Sequence, residues 1–108
     1  MNRSAVISKN KKYRYELSRI WSESPKITFI MLNPSVGNET YDDKTIKRLI
    51  FFTKKFGYGG FYVGNIFPNI NTKVNDLYLD LSHDKKKNRK YVASMIDKSE
   101  SVVYAWGK

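Results

Sequence analysis

Three stretches of the chain share one outline, an apolar, β-prone run that stops at a turn. Residues 27–32 run unbroken into Asn33-Pro34-Ser35, residues 60–66 carry Asn65 at their end and pass into Phe67-Pro68, and residues 101–106 end in Trp106-Gly107. Continuous apolar runs of this length read as buried strands. Upstream the pattern has period two: Tyr13, Tyr15, Leu17 and Trp21 fall on one face, with Arg14, Glu16 and Ser18 on the other. That alternation predicts an antiparallel or edge strand over 11–21, and the turn-forming Ser22-Glu23-Ser24-Pro25 predicts that it forms a hairpin with the strand at 27–32.

From Asp43 the period lengthens. Ile46, Leu49, Ile50 and Phe56 recur at helical spacing, while Lys44, Lys47, Arg48, Lys54 and Lys55 occupy other faces. Asp42 or Asp43 can cap this helix, and Gly57 supplies its stop. With the next strand at 61–66 the result is a β-α-β unit with parallel strands and a right-handed crossover. Residues 68–80 read as a loop with a turn of helix at 76–79. Ser82 or Asp84 can cap a second helix that turns Tyr91, Val92, Met95 and Ile96 inward and leads to a further parallel strand at 102–106.

Composition narrows the classes. A length of 108 residues predicts one domain, and 41% hydrophobic with 15% aromatic residues argues against disorder. No window approaches the length of a membrane span, and the start lacks the apolar core of a signal peptide, so the expected location is the cytoplasm. The absence of cysteine excludes disulfides and thiolate metal sites, and with His83 as the single histidine no metal or other cofactor is expected. The net charge of +10 favours a polyanionic partner such as nucleic acid. An acidic protein partner, or AT-rich coding that enriches Lys, Asn and Ile, also accounts for it.

Parallel strands would align Asn33, Pro34, Ser35, Asn65, Phe67, Trp106 and Gly107 along one rim, with Tyr41, Asp42 and Asp43 at the adjoining helix start. Ligands settle at such rims. Paired carboxamides offer donors and acceptors to a flat, mixed edge such as a nucleobase, and Tyr41, Phe67 and Trp106 offer stacking faces. Each has a plainer reading: a strand-exit turn for Asn33-Pro34, core packing for the aromatics, an N-cap for Asp42-Asp43. Ser35 has no histidine placed to activate it, which argues against acyl transfer. Lys85, Lys86, Lys87, Arg89 and Lys90 crowd the first turns of the second helix, where cations oppose the helix dipole; they suit contacts to a nucleic-acid backbone or form a solvated face.

These motifs carry a resemblance. Tyr13-Arg14-Tyr15, Met31-Leu32-Asn33-Pro34-Ser35, Asp42-Asp43-Lys44-Thr45, Gly57-Tyr58-Gly59, Asn65-Ile66-Phe67 and Ala105-Trp106-Gly107 resemble the bacterial and phage family called domain of unknown function 1643. Their order is also similar to the uracil-DNA glycosylase superfamily. That likeness implies an α/β fold: a parallel-sheet α/β/α sandwich, here with an N-terminal antiparallel hairpin strand and without the C-terminal strand and its His-Pro motif. It further implies that Asn33 would orient an attacking water and that Asn65 would read the base edge. Loss of the His motif, and Ser35 where the superfamily commonly has Gly, imply a glycosylase-like pseudoenzyme that binds nucleic acid or a nucleotide-related ligand without excising uracil. An active DNA glycosylase using Asn33, and a protein-interaction module of a phage or mobile element, are the alternatives.

Overall fold

A computed structural model describes residues 1–77 and 85–105. Its order is β1 (Asn2–Ile7), β2 (Arg14–Ile20), β3 (Ile27–Met31), α1 (Lys44–Lys55), β4 (Gly60–Asn65), α2 (Val74–Leu77), α3 (Lys85–Asp97) and β5 (Ser101–Tyr104). The five strands form one mixed sheet in the order β1-β2-β4-β3-β5. β3 pairs in parallel with β4 on one side and β5 on the other, as the β-α-β reading requires.

The hairpin expectation is corrected. β2 does not pair with β3; it runs antiparallel to β1 and β4, so the turn at 22–25 carries the chain across β4 instead of folding it back. Its hairpin partner is β1, whose largely exposed Asn-Arg-Ser start gave no strand signal. The facial assignment of β2 is corrected too. A bulge sets Val6 opposite Glu16 and Ile7 opposite Arg14, leaving Tyr15 as an extra residue. One inserted residue exchanges the two faces. Arg14 therefore lines the α1 side of the sheet beside Ile46 and Val63, while Tyr15 stacks on Tyr91 of α3.

The two long helices cover opposite faces. Leu17, Ile27, Phe29, Phe61 and Val63 pack with Ile46 of α1. Residue 64 points the other way along β4, and a Cβ at Gly64 would sit 2.7 Å from Met95 Cε and 3.3 Å from Val92 Cγ2, both on α3. Glycine there lets α3 approach the sheet closely, and Thr28 Oγ1 fixes the helix by donating to Met95 O at 3.1 Å. Leu17, Phe61 and Met95 are fully enclosed, and truncating any of them to Ala would cost about 2–5 kcal/mol.

α1 begins and ends as its sequence predicts. Asp43 Oδ1 accepts from Ile46 N at 2.9 Å, and Gly57 takes a left-handed φ of 82° just past the last turn. Its inward face is narrower than the periodicity suggests: Ile46 is buried, but Phe56, at the C-cap, is 60% exposed. Of the helical turn expected at 76–79, residues 76 and 77 belong to α2, which begins at Val74, and residues 78 and 79 lie outside the described residues. The expected caps Ser82 and Asp84, and the site candidates Trp106 and Gly107, lie outside the described residues. Among the described residues no helix is long and apolar enough to cross a membrane.

Candidate functional site

The chain leaves β3 towards α1 on one face of the sheet and leaves β4 towards α3 on the other. Adjacent parallel strands whose exits diverge mark a switch point, where open α/β sheets hold ligands. Here the crevice between the two exits is roofed by the chain itself. Ile66 N donates to Met31 O and Phe67 N to Leu32 O, both at 2.9 Å, continuing the ladder past the strands. Asn33 Nδ2 donates to Asn69 O at 3.2 Å and Thr72 O at 3.0 Å, and Asn71 N returns a bond to Pro34 O at 2.7 Å. The same loop is tied to β2 through Arg14 N to Pro68 O and Ile70 N to Lys12 O, both at 2.8 Å. Asn33, the candidate for orienting water, thus holds the 69–72 loop with both amide hydrogens.

On the α1 side, two arginines of β2 hold the loop that follows Asn33-Pro34-Ser35. Arg14 Nη1 donates to Gly37 O at 2.9 Å. Arg19, fully buried, donates from Nε to Asp42 Oδ1 at 2.8 Å, from Nη1 to Ser18 O at 2.8 Å, and from Nη2 to Asn38 O. Asp42 also accepts from Arg3 Nη2 at 3.0 Å. Burial alone would raise the Asp42 pKa, but the hydrogen bonds and charges of Arg3 and Arg19 outweigh it and hold the carboxyl below its ordinary value. For Arg14, burial dominates and pushes the guanidinium down to about 10, with the Asp43 charge opposing and that of Arg19 adding to the shift. Its Nε is enclosed without a partner. A cavity of about 70 Å³ lies against it, lined among others by Asn33, Ser35, Asp43 and Thr45.

Asn65 sits apart from these spaces. It is 1% exposed and lines none of the clefts described here, and neither atom of its carboxamide has a hydrogen-bond partner. An enclosed, unpaired amide costs about 1–3 kcal/mol. Tyr41 is 54% exposed, with its amide donating to Asn38 Oδ1 at 2.8 Å. Asp42 is engaged by the two arginines, and Asp43 is the α1 cap. Asn33, Pro34 and Ser35 also border an open groove of about 320 Å³ with Asn71, Thr72 and Lys73.

The α3 side of the rim is built differently. Lys85, Asn88 and Arg89 are spaced i, i+3, i+4, so they share one face of α3. Asn88 is 5% exposed and donates from Nδ2 to Asn65 O at 2.9 Å and Ile66 O at 3.3 Å, which pins that face to the exit of β4. Lys85 and Arg89 are thereby placed on either side of Asn88, beside half-buried Phe67, around a cleft of about 310 Å³. Lys87 and Lys90 face the other way, towards Glu16 and Tyr91, with Lys87 Nζ 5.0 Å from the Tyr15 ring centre. Lys86 is exposed and lines neither space. The structure therefore divides the predicted basic cluster, and Lys85 and Arg89 are the members that meet a predicted stacking residue.

Among the described residues no group of three or more His, Cys, Asp or Glu side chains is placed to hold a metal. The family model for a protein of unknown function, DUF1643, matches residues 14–108. The chain belongs to the DUF1643 family. No curated protein and no solved structure matches it. Arg14, Arg19 and Asn88 emerge from the geometry as the organising side chains of the rim. The signal for Arg19 was a cation in register with the apolar positions Tyr15, Leu17 and Trp21; Arg14, in register with Glu16 and Ser18, and Asn88, within a run of lysines, had none.

Proposed function

We propose that this DUF1643 chain binds nucleic acid or a nucleotide-related ligand at the carboxyl rim of its parallel strands, as a glycosylase-like domain of the cytoplasm that does not excise bases. One observation carries the reading: Phe67, Lys85 and Arg89 border one cleft. An aromatic face flanked by two cations suits a base and its phosphate, the first by stacking and the second by charge. Two further features support binding without excision. The amide of Asn33 is engaged with the loop carbonyls, and Asn65 is enclosed away from the clefts, so neither stands ready to act on a flipped base.

Oligonucleotide binding, followed by anisotropy across a salt series, tests this. Single strands should bind with an affinity that falls with salt, and Lys85→Gln with Arg89→Gln should flatten the log–log slope by about 1.4 for single strands. Phe67→Ala should weaken single-strand binding by about 1–3 kcal/mol. Uracil-containing duplexes incubated in parallel should yield no abasic product. Affinity indifferent to salt would remove the electrostatic part of the proposal, and abasic product lost in Asn33→Ala would replace it with an active glycosylase.

A further inference from the structure

Arg14 carries a charge that its neighbours do not neutralise. It is 4% exposed, it stands on the α1 side of the sheet because of the bulge at Tyr15, and its Nε has no partner. Nη1 anchors the guanidinium by donating to Gly37 O at 2.9 Å, but among the described residues no carboxylate lies within ion-pair distance of it. A cation buried in this way costs more than an apolar side chain of like volume would. Uncompensated buried charge is characteristic of sites that receive their counter-charge from a ligand. The space against Arg14 suits a small one. The cavity it lines is about 70 Å³, equal to roughly two waters at about 30 Å³ each, which matches one tetrahedral oxyanion and excludes a base or a sugar. Ser35 and Thr45 bring hydroxyls to its wall. Thr45 belongs to the first turn of the twelve-residue helix α1, whose opening amides have no intrahelical carbonyl to meet and whose dipole favours negative charge.

One wall of the cavity is acidic, and it decides which anion fits. Asp43 uses Oδ1 to cap α1, accepting from Ile46 N at 2.9 Å, and its other carboxylate oxygen can only accept as well. That oxygen repels an oxyanion without a proton and accepts a hydrogen bond from one that has kept a proton. Inorganic phosphate keeps a proton at neutral pH. Sulfate does not, and a phosphate monoester has largely lost its own above a second pKa of about 6. We propose that the cavity between Arg14 and the start of α1 binds inorganic phosphate. Arg14 supplies the charge, Ser35, Thr45 and the first amides of α1 supply neutral donors, and Asp43 accepts from the phosphate hydroxyl. The site lies on the other side of the rim from the Phe67 cleft and does not depend on nucleic-acid binding there.

Calorimetric titration of the full chain with inorganic phosphate, in a phosphate-free buffer near neutral pH and at constant ionic strength, tests the proposal. Sodium sulfate and thymidine 5′-monophosphate are titrated in parallel. Phosphate should bind saturably at one site, and the other two roughly tenfold more weakly or not at all. Arg14→Met should lower phosphate affinity by roughly tenfold or more, yet leave oligonucleotide affinity unchanged, so that this site and the Phe67 cleft fail separately. Asp43→Asn keeps a good helix cap and replaces an acceptor-only group with one that also donates. It should bring sulfate to within a few-fold of phosphate, and it carries the test alone if Arg14→Met does not fold. Absence of saturable phosphate binding, or equal binding by Arg14→Met, would overturn the proposal. So would a parent that holds sulfate or the monoester as tightly as phosphate, or discrimination that survives Asp43→Asn.

Discussion

The two sides of the carboxyl rim use their polar side chains for different ends. Towards α1, Arg14, Arg19, Asn33 and Asp42 are engaged in holding the loops at 37–42 and 69–72, and the cavity that Arg14 and Asn33 line is about 70 Å³. Towards α3, Asn88 tethers the helix to the exit of β4, and Lys85 and Arg89 border a cleft of about 310 Å³. A polar residue at a strand exit is thus no guide by itself to a binding site. Its hydrogen bonds distinguish a side chain that builds the rim from one that is available to a ligand.

The comparison breaks most visibly at Arg19. With four donors directed at Asp42, Ser18, Asn38 and Tyr41, its removal strands a carboxylate and several carbonyls. Arg19→Met should lower unfolding stability in urea by about 3 kcal/mol, while the folded fraction still binds oligonucleotides with parental affinity. Loss of that affinity without loss of stability would place the ligand on the α1 side. Arg14 sharpens the contrast. Its charge is buried without a carboxylate in bonding distance and its Nε is unpaired, so Arg14→Met should cost about 1 kcal/mol or less. A cost equal to that of Arg19→Met would show that the guanidinium is better paired than its geometry states.

What the sequence disclosed and what it withheld follow the same divide between local and non-local causes. The β3-α1-β4 unit was legible because its signals are local: an unbroken apolar run, an aspartate at the cap, a glycine after the last turn. The partner of β2 was not, because the turn at 22–25 has the composition of a hairpin turn whether the chain folds back or crosses a neighbouring strand. The bulge at Tyr15 leaves no mark on the alternation, yet it decides that Arg14 and Leu17 share a face. At the site, residue types were legible and occupancy was not. Asn33 and Asn65 stand in like positions at two strand ends, but one bonds the 69–72 loop and the other is enclosed. Phe67 and Lys85 are eighteen positions apart in sequence, and the packing of Asn88 on the β4 exit brings them to one cleft.

Asn33 offers a finer test. If its role is to hold Asn69 and Thr72, removing the amide should cost about 1–3 kcal/mol of stability. Asn33→Asp should cost more than Asn33→Ala, since a carboxylate cannot donate to two carbonyls and is repelled by them. Oligonucleotide affinity should be unchanged in both. The opposite order of stability, with Asp tolerated and Ala not, would mean that the oxygen of the side chain matters and would return Asn33 to the role of a water-orienting group.

The smallest effect concerns Asp42 and its dependence on pH. Because the folded-state pKa lies below the ordinary 3.8, the contribution of Asp42 to stability is complete above that value and is lost as the pH falls through the lower folded value. The gap in unfolding free energy between the parent and Asp42→Asn should therefore be widest at neutral pH and close as the pH falls below 3.8. Added salt should narrow it at neutral pH chiefly through the half-exposed Arg3, whose side chain is 40% accessible, and much less through fully enclosed Arg19. An Arg3→Gln variant separates the two: if the gap then becomes insensitive to salt yet keeps its closure in acid, Arg19 is the charge that holds Asp42, and the α1 side of the rim is the rigid scaffold against which the open α3 cleft is set.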